Sequence, residues 1–357
     1  MDKIKIGIIG IGNCASALIQ GIEYYRGSNN GGLLRPTLAG YHISDIHVVA
    51  AVDISENKVG KNVSEAIQEN ELDVIVDFPE DFKVPIVMGN ILDGVISETE
   101  KNINPANQTP INCAEHFKSK DTEIILCLLP SGAEKAVRYY ANEALKAGCA
   151  FINATPTNIA NDREFAEKFR EAGLPLIGDD LQDQFGATIL HKMILQQMLD
   201  RGIDIKESYA LDVGGGAESL NTIYRAREIK REIKSKSVAG VLDIDAPIIA
   251  GTSDWVEFLN NKRNSMLWIV GKGFMGSEII MDIKIQTEDG PNGGSVLADV
   301  IRATKIAINQ SAAGTIDEIS AYGFKKPPKF PKNPMEASKN LADFILGINR
   351  RDITHGN

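Results

Sequence analysis

A glycine-rich turn near the start of the chain has the residue types of a phosphate-binding loop. The stretch GIIGIGNCASALIQG places Gly10 and Gly12 between an apolar run and a segment of helical periodicity. Glycines allow the backbone to bend tightly and approach a pyrophosphate, and the following helix offers free N–H groups and the positive end of its dipole. Asn13 and Ser16 could add hydrogen bonds, whereas Ala15 stands where a third glycine is usual. Because similar turns occur in sheets that bind no nucleotide, the loop alone indicates dinucleotide binding only weakly.

A carboxylate ends the second apolar run, IHVVAAVD, at Asp53. A carboxylate in this position can accept both ribose hydroxyls of a dinucleotide and repels a 2'-phosphate, so the sequence favours NAD over NADP. The alternative is that Asp53 simply caps the next helix. The interval between loop and acid exceeds the usual spacing of about 20 residues, because YYRGSNNGGLLRPTLAGYH intervenes. We expect this insertion to leave the sheet as a loop that covers the cofactor or contacts another subunit.

Further polar groups follow later strands. LPSGAE and NATPTNIA come after two apolar runs, at the edge where open α/β sheets bind ligands, although strand-ending turns would look the same. GDDLQDQFGAT brings Asp179, Asp180 and Asp183 close to Gln184 and Thr188. Such acids could perform acid/base chemistry, bind a cation or cap the next helix.

A basic segment, RAREIKREIKSKSV, stands out in an acidic chain. Its six basic residues are Arg225, Arg227, Lys230, Arg231, Lys234 and Lys236. The usual explanation is a solvated helix face on which Glu228 and Glu232 pair with these bases. The competing explanation is an anion-binding pocket whose cations bind phosphate and stabilise alkoxide or enolate charge.

The elements that must position these groups form two domains. Apolar runs alternate with helical segments up to about residue 200, which predicts a Rossmann-like parallel sheet covered on both faces. Strand-like runs such as MLWIVGKG and IIMDIKIQTED then predict an α+β domain with a mostly antiparallel sheet. We predict a dinucleotide-binding domain at 1–200, completed by 311–357, and a catalytic and oligomerisation domain at 201–310.

The composition of the chain argues against some classes of function. A net charge of −10 in 357 residues argues against a broad surface for nucleic acid or anionic membranes. The chain shows no signal peptide and no apolar run near the roughly 20 residues that cross a bilayer, so we expect a cytoplasmic protein. Four scattered cysteines, without CxxC spacing, indicate buried reduced thiols: Cys14, Cys113, Cys127 and Cys149.

Six ordered segments resemble the myo-inositol-1-phosphate synthase (inositol-3-phosphate synthase) family in its shorter archaeal and bacterial form. They are IGIGNCASALIQGIEYY, GYHISDIHVVAAVDI, GDDLQDQFGAT, LDVGGGAESLN, GKGFMGSEIIMDIKIQTEDGPN and SAYGFKKPP. The resemblance implies redox-neutral cyclisation of D-glucose 6-phosphate to 1L-myo-inositol 1-phosphate with NAD: oxidation at carbon 5, enolisation, aldol closure and re-reduction. It also implies a homotetramer, and it leaves a divalent or monovalent cation open.

The resemblance assigns roles to individual residues. The catalytic positions implied are Lys236, Lys325, Asp180, Asp289, Lys262, Lys234 and Glu218. The register of the basic segment also admits Lys230 or Arg231, and Arg263 competes with Lys262. The cofactor-binding positions implied are Gly10, Gly12, Asn13, Cys14, Ala15, Asp53, Leu129, Pro130, Ser131, Thr155, Pro156, Asp180, Ala187 and Thr188.

The sequence departs from the family pattern at the site itself. Gln182 and Asp183 replace Lys and Ser, while Asp212, Gly216 and Glu218 replace Asn, Asn and Asp. A carboxylate added near a phosphate costs affinity unless a lysine or metal offsets it. This protein therefore either binds the family's substrate with different side chains or uses another sugar phosphate as its substrate. A non-catalytic dinucleotide-binding protein is the third hypothesis, against which the retained acids and lysines argue.

Overall fold

Two sheets of different kinds organise the chain. The structure, a computed structural model, describes residues 3–27, 31–95, 104–240 and 246–347. The strands in these ranges are β1 (Ile4–Ile9), β2 (Thr37–Leu38), β3 (Tyr41–His42), β4 (Ile46–Asp53), β5 (Ile86–Met88), β6 (Ile124–Cys127), β7 (Ala150–Asn153), β8 (Pro175–Ile177), β9 (Asp204–Gly214), β10 (Ile248–Trp255), β11 (Lys262–Lys272), β12 (Glu278–Glu288) and β13 (Gly314–Thr315).

The first sheet is parallel throughout, in the order β13-β8-β7-β6-β1-β4-β5. Its central strand β1 reads IKIGII and is buried at five of its six positions. Nearly continuous apolar strands are expected where helices cover both faces of a sheet. The short strand β13 pairs with β8, so the chain returns to the first sheet after the second one.

The helices of the described residues cover these sheets. They are α1 (Asn13–Tyr24), α2 (Val63–Ala66), α3 (Cys113–Ser119), α4 (Glu134–Ala147), α5 (Arg163–Glu171), α6 (Ala187–Asp200), α7 (Ala217–Asn221), α8 (Arg227–Ala239), α9 (Asp289–Asn309), α10 (Asp317–Gly323) and α11 (Pro334–Ile345). Among them, none combines the length and apolar character required to span a membrane. The sequence predicts the last helix as far as residue 351, but residues 348–357 lie outside the described part.

Helix α9 packs in the first domain rather than the second. Its Val296, Leu297 and Ile301 are buried in the same core as Ile8 of β1. A Cβ on Gly294 would lie 3.1 Å from the backbone N of Leu18, so glycine permits the close approach of α9 to α1. Helix α9 falls within 201–310, the range predicted for the second domain, yet it shares the core of the first. A helix buried on nearly every side does not reveal its packing partner in the sequence.

The second sheet has the order β10-β9-β11-β12 and is mostly antiparallel. Only the β10–β9 pair runs parallel within it. Helices α6 and α8 cover one face, where Ala210, Ala250 and Leu267 are buried. The predicted fold class, a Rossmann-like parallel-sheet domain with an α+β domain, is confirmed.

The insertion before β4 is tied to helix α9. Its described part contains the small hairpin of β2 and β3. The fully buried Arg302 donates from Nη1 to the carbonyl oxygens of Arg35, Pro36 and Tyr41, at 3.1 to 3.3 Å. The insertion leaves the parallel sheet, as predicted.

Candidate functional site

A cavity of about 360 Å³ lies where the carboxyl ends of the parallel strands meet the second sheet. It brings together residues from distant parts of the sequence. The predicted site residues that line it are Gly10, Gly12, Asn13, Cys14, Ala15, Asp53, Leu129, Pro130, Thr155, Pro156, Asp180, Glu218, Lys234, Asp289 and Lys325.

The glycine-rich turn has the geometry of a ligand loop. Gly10 has φ +87°, and a Cβ there would lie 2.8 Å from the carbonyl oxygen of Leu128, so this position requires glycine. A Cβ on Gly12 would meet nothing within 4 Å, which leaves this part of the loop open to the cavity. Helix α1 begins at Asn13 without a capping side chain. Its first N–H groups therefore remain free to bind an anion.

Asp53 joins the loop to the end of β4. Its Oδ2 accepts from the backbone N of Ile11 at 2.8 Å, and its Oδ1 accepts from Ile54 and Ser55 at 2.7 and 3.0 Å. A carboxylate has about four acceptor positions, so Asp53 retains capacity for a hydroxyl in the cavity. Together with the open turn, this arrangement fits a dinucleotide.

Asp180 lies at the centre of the cationic part of the cavity. It has φ +62°, a left-handed conformation that Asp tolerates better than most residues. Lys230 donates to its Oδ1 at 2.7 Å, while its Oδ2 is buried without a partner. Burial by itself raises the pKa of Asp180, but the ammonium groups of Lys230 and Lys325 outweigh burial and hold this pKa below its usual range.

Lys230 bridges two carboxylates. Its Nζ lies 3.5 Å from Oε1 of Glu218 as well as against Asp180. Burial opposes its charge, but Asp180 and Glu218 outweigh burial and raise the pKa of Lys230 above the usual value. Glu218 in turn accepts hydrogen bonds from the backbone N of Ser131 at 3.1 Å and from the Ser131 hydroxyl. Ser131 thus contacts the site through Glu218 and does not itself line the cavity.

Asp212, one of the departures from the family pattern, is neutralised within the protein. Lys234 donates to its Oδ2, and the Ser265 hydroxyl donates to its Oδ1 at 2.6 Å. Nη1 of Arg263 lies 3.8 Å from the same carboxylate. Burial lowers the pKa of Lys234, Asp212 opposes this effect, and Arg263 with Lys325 adds to it.

Arg263 is the cation that β11 contributes. Its guanidinium binds Asp289 through two hydrogen bonds of 2.7 and 2.5 Å. Burial opposes the charge, but Asp289 raises the pKa of Arg263 further above its already high value. Lys262, predicted as catalytic, is exposed and does not line the cavity. Adjacent residues of a strand point to opposite faces, so Arg263 lines the cavity and Lys262 does not.

Lys325 is held by the segment that contains Asp180. Its Nζ donates to the carbonyl oxygen of Leu181 at 2.6 Å, and its backbone N donates to the carbonyl oxygen of Asp180 at 2.7 Å. Behind this contact, the buried Lys192 donates to Oε1 of Gln182 at 2.9 Å. A lysine from helix α6 therefore accompanies Gln182, which replaces the lysine of the family pattern.

Three other predicted residues lie outside the cavity. Lys236 is exposed and pairs with Glu232 at 2.5 Å, because two residues along a helix place it on another face from Lys234. Ala187 and Thr188 are buried at the start of α6 without lining the cavity. The structure therefore does not bring these three residues to the cavity.

Several cavity residues were missed or left undecided by the sequence. The sequence left Lys230 open as an alternative to Lys234, and Arg263 as an alternative to Lys262. The i, i+4 spacing of Lys230 and Lys234 already places both on one helix face. Asn221 and Asn261 line the cavity, and each has a buried side-chain atom without a partner. The described residues contain no group of three or more His, Cys, Asp or Glu side chains placed to hold a metal ion.

The fold and cavity define a class of protein in which a dinucleotide-type loop faces a cluster of paired lysines. Residues 186–290 match the family described as myo-inositol-1-phosphate synthase. The chain is 36% identical to an inositol-3-phosphate synthase of Mycolicibacterium smegmatis, over 97% of this chain and 98% of that protein. The corresponding values for the Corynebacterium glutamicum enzyme are 33%, 97% and 99%. The chain belongs to the myo-inositol-1-phosphate synthase family.

Solved structures agree with this fold. The structure titled Ari2 is 28% identical, with a TM-score of 0.79 and coverage of 97% of this chain and 98% of that one. The Caenorhabditis elegans inositol-3-phosphate synthase has a TM-score of 0.76 at 15% identity, covering 99% of this chain and 88% of that one, and supports the fold alone.

Proposed function

We propose that the chain cyclises D-glucose 6-phosphate to 1L-myo-inositol 1-phosphate with NAD and without net redox change. The observation that carries the proposal is a cavity that sets Lys230, Lys234, Arg263 and Lys325 opposite a dinucleotide-type loop. Relatives of nearly the same length are named for this reaction.

The cofactor residues proposed are those of the loop and of the strand ends. Gly12, the start of α1 and Asp53 would hold the dinucleotide, with Leu129 and Thr155 beside them. Bound NAD would supply the acceptor and later the donor of the hydride at carbon 5. The chain's own residues orient the sugar and stabilise the charges that develop on its oxygens.

The lysines divide into two roles. Lys230, whose pKa is raised, stays charged and suits the stabilisation of an oxyanion. Lys234, whose pKa is lowered, gives up its proton more readily than an ordinary lysine and suits proton transfer to or from a sugar oxygen. Arg263 is always charged and therefore serves to neutralise Asp289 and the anionic substrate.

The departures from the family pattern support a rebuilt site. The negative charge that Asp212 adds is offset by Lys234 and Arg263. Glu218, which replaces Asp, reaches Ser131 and Lys230. These carboxylates are thus bound by groups of the protein and do not stand free against a phosphate.

Product identification tests the proposal. The purified protein is incubated with glucose 6-phosphate and NAD+, and the product is identified by NMR. We expect the wild-type protein to form an inositol monophosphate with no net accumulation of reduced cofactor. The Lys325→Met variant is expected to form no inositol monophosphate. Wild-type protein that binds NAD but forms no inositol phosphate would contradict the proposal.

A second candidate is a related cyclase for another sugar phosphate. It is favoured by Asp183, which lines the cavity where the family pattern has Ser and forms no hydrogen bond with the residues that the structure describes. The same NMR experiment with fructose 6-phosphate decides between the two. Turnover of fructose 6-phosphate without turnover of glucose 6-phosphate would favour this candidate.

We also infer a homotetramer assembled through the second sheet. Its uncovered face carries the exposed Tyr209, Leu211, Ile249 and Met266. The resemblance to the family supports this inference, and an exposed apolar face of this kind fits a second copy of the chain.

A further inference from the structure

Asn261 presents a fixed, buried donor to the cavity. The residue immediately precedes β11 and is 5% exposed. Its Oδ1 accepts from the backbone N of Gly290 at 3.2 Å, and its backbone oxygen accepts from the N of Asp289 at 3.0 Å. Because the backbone N–H of Gly290 donates to Asn261, the side-chain atom that faces it must be the amide oxygen. The amide nitrogen is then the other terminal atom of the side chain. Asn261 lines the cavity, and its Nδ2 is buried without a hydrogen-bond partner among the residues that the structure describes.

The amide of Asn261 lies beside the cofactor loop. A Cβ on Gly290 would lie 3.0 Å from the backbone oxygen of Asn13 and 3.2 Å from Nδ2 of Asn261. A Cβ on Gly216 would lie 3.5 Å from Nδ2 of Asn13 and 3.7 Å from the backbone oxygen of Asn260. Glycines therefore allow the second sheet to approach the start of α1 at this corner.

The free groups at this corner match a phosphate next to a hydroxyl. The start of α1 offers N–H groups without a cap, and Nζ of Lys58 is held at 2.6 Å from the carbonyl oxygen of Ile11. The nearby Asp289 carboxylate is already bound by Arg263. Oδ1 of Asn13 is a buried acceptor without a partner, which suits a hydroxyl donor. Phosphate and hydroxyl groups side by side are the pattern of a nucleotide.

We propose that Asn261 binds the pyrophosphate of the dinucleotide, with Nδ2 donating to a phosphate oxygen at the N-terminus of α1. The proposal rests on the proposed use of NAD and extends it. The second domain, whose Arg263 lines the same cavity, then contributes directly to cofactor binding. A sugar phosphate offers the same chemistry, and the experiment separates the two sources.

Calorimetry on Asn261→Asp tests the proposal. Aspartate retains the acceptor for Gly290, removes the donor and places a negative charge against the phosphate. We expect the Kd for NAD and for ADP-ribose to rise by a factor of about 10 to 100, as for a lost hydrogen bond to a charged group. Adenosine, which has no phosphate, is expected to bind wild type and variant equally. The matched control, Asn260→Asp, changes an exposed neighbour that does not line the cavity.

The alternatives give distinct results. Unchanged NAD affinity in Asn261→Asp overturns the proposal, and weakened glucose 6-phosphate binding with unchanged NAD affinity assigns the donor to the sugar phosphate instead. Equal losses for adenosine and ADP-ribose indicate a purely structural role and also overturn it. Asn261→Ser repeats the comparison if the aspartate variant does not fold. A wild-type protein that fails to bind NAD contradicts the proposed function itself.

Discussion

Of the five basic residues among those described that line the cavity, three are paired with a carboxylate. Lys230 pairs with Asp180, Lys234 with Asp212 and Arg263 with Asp289. Removing one partner of a buried pair leaves the other charge without compensation, which costs more than the pair contributes. The carboxylates therefore hold the cations in the cavity in defined positions before any ligand binds.

The pairing of Lys234 with Asp212 gives a stability prediction. Lys234→Met leaves Asp212 buried with only Ser265 and the more distant Arg263, so we expect a loss of roughly 3 kcal/mol in the free energy of unfolding. Lys234→Met combined with Asp212→Asn, which restores the family residue at 212, should recover most of this loss. Urea unfolding measures both variants. A double variant no more stable than Lys234→Met would contradict the prediction.

Lys192 makes stability depend on pH. Burial, with a smaller contribution from Lys325, lowers the pKa of Lys192 from 10.5 to about 7, and its hydrogen-bond partner Gln182 is neutral. Between pH 7 and about 10 the unfolded chain binds this proton more strongly than the folded chain, so this group's contribution to stability rises with pH. Below pH 7 both states are protonated and the penalty is constant.

The Lys192→Met variant measures this contribution. The difference in free energy of unfolding between Lys192→Met and wild type should favour the variant most near pH 7. This difference should shrink progressively toward pH 10, as measured by the midpoints of urea unfolding. Lys168→Met, at an exposed lysine that pairs with Glu164 and lies 5.6 Å from the centroid of the Phe165 ring, should show no such trend. A difference between wild type and Lys192→Met that is constant across this range would contradict the lowered pKa.

At the scale of elements, helix periodicity decides which lysines enter the cavity. Lys230 and Lys234 share one face of α8, whereas Lys236 lies on another. The family resemblance identified the basic segment but not its register, since one inserted residue shifts every assignment. The sequence therefore predicted a lysine site on this helix and named Lys234, which lines the cavity, together with Lys236, which does not. The glycine loop and Asp53 follow two apolar runs that become the neighbouring strands β1 and β4, so the sequence indicates that both lie at one edge of the sheet.

The register of α8 predicts unequal effects of two similar variants. Lys230→Met removes the cation that contacts Asp180 and Glu218 and should lower kcat by roughly 10²- to 10³-fold. Lys236→Met removes only an exposed pair with Glu232 and should leave kcat within about twofold of wild type. Initial rates of inositol phosphate formation measure both. Comparable losses in the two variants would mean that Lys236 also acts in the reaction.

The packing of α9 in the first domain shows a limit of prediction from the hydrophobic pattern of the sequence. The parallel strands could be predicted because continuous apolar runs alternate with helices. Helix α9 is buried along most of its length from Gly293 to Ala307, so its sequence shows no single apolar face. Its packing depends on Gly293 and Gly294, which approach Cys14 and Leu18 at distances that only the folded structure reveals.

On the scale of the whole molecule, the cavity depends on contacts between the two sheets. The sequence predicts both sheets from local patterns, but the approach of Asn261 and Gly290 to Asn13 arises from long-range packing. The orientation of the second sheet follows from the same packing. One of its faces is covered by α6 and α8. Within the described residues the other is uncovered, and it carries exposed apolar side chains next to Asp282 and Lys284 of β12.

The uncovered face yields the last prediction, on assembly. Met266 lies opposite Leu211 across the β9–β11 pair, beside the stacked rings of Tyr209 and Trp268, 5.6 Å apart. A glutamate at 266 would bury a charge if this face pairs with a second copy, because an ion in an apolar interface loses its hydration. Met266→Glu should therefore reduce the mass measured by light scattering after size exclusion below that of the wild-type protein, which we infer to be a tetramer.

The choice of control isolates the sheet face in this experiment. Met335, on α11 and 83% exposed, takes the same substitution outside the second sheet, so Met335→Glu should leave the mass unchanged. Activity and far-ultraviolet circular dichroism of Met266→Glu separate loss of assembly from loss of fold. A wild-type protein that is monomeric at micromolar concentration would contradict the inferred tetramer, and a tetramer unaffected by Met266→Glu would place its interface elsewhere. Since the cavity lies between sheets of one chain, the dissociated variant should retain NAD binding.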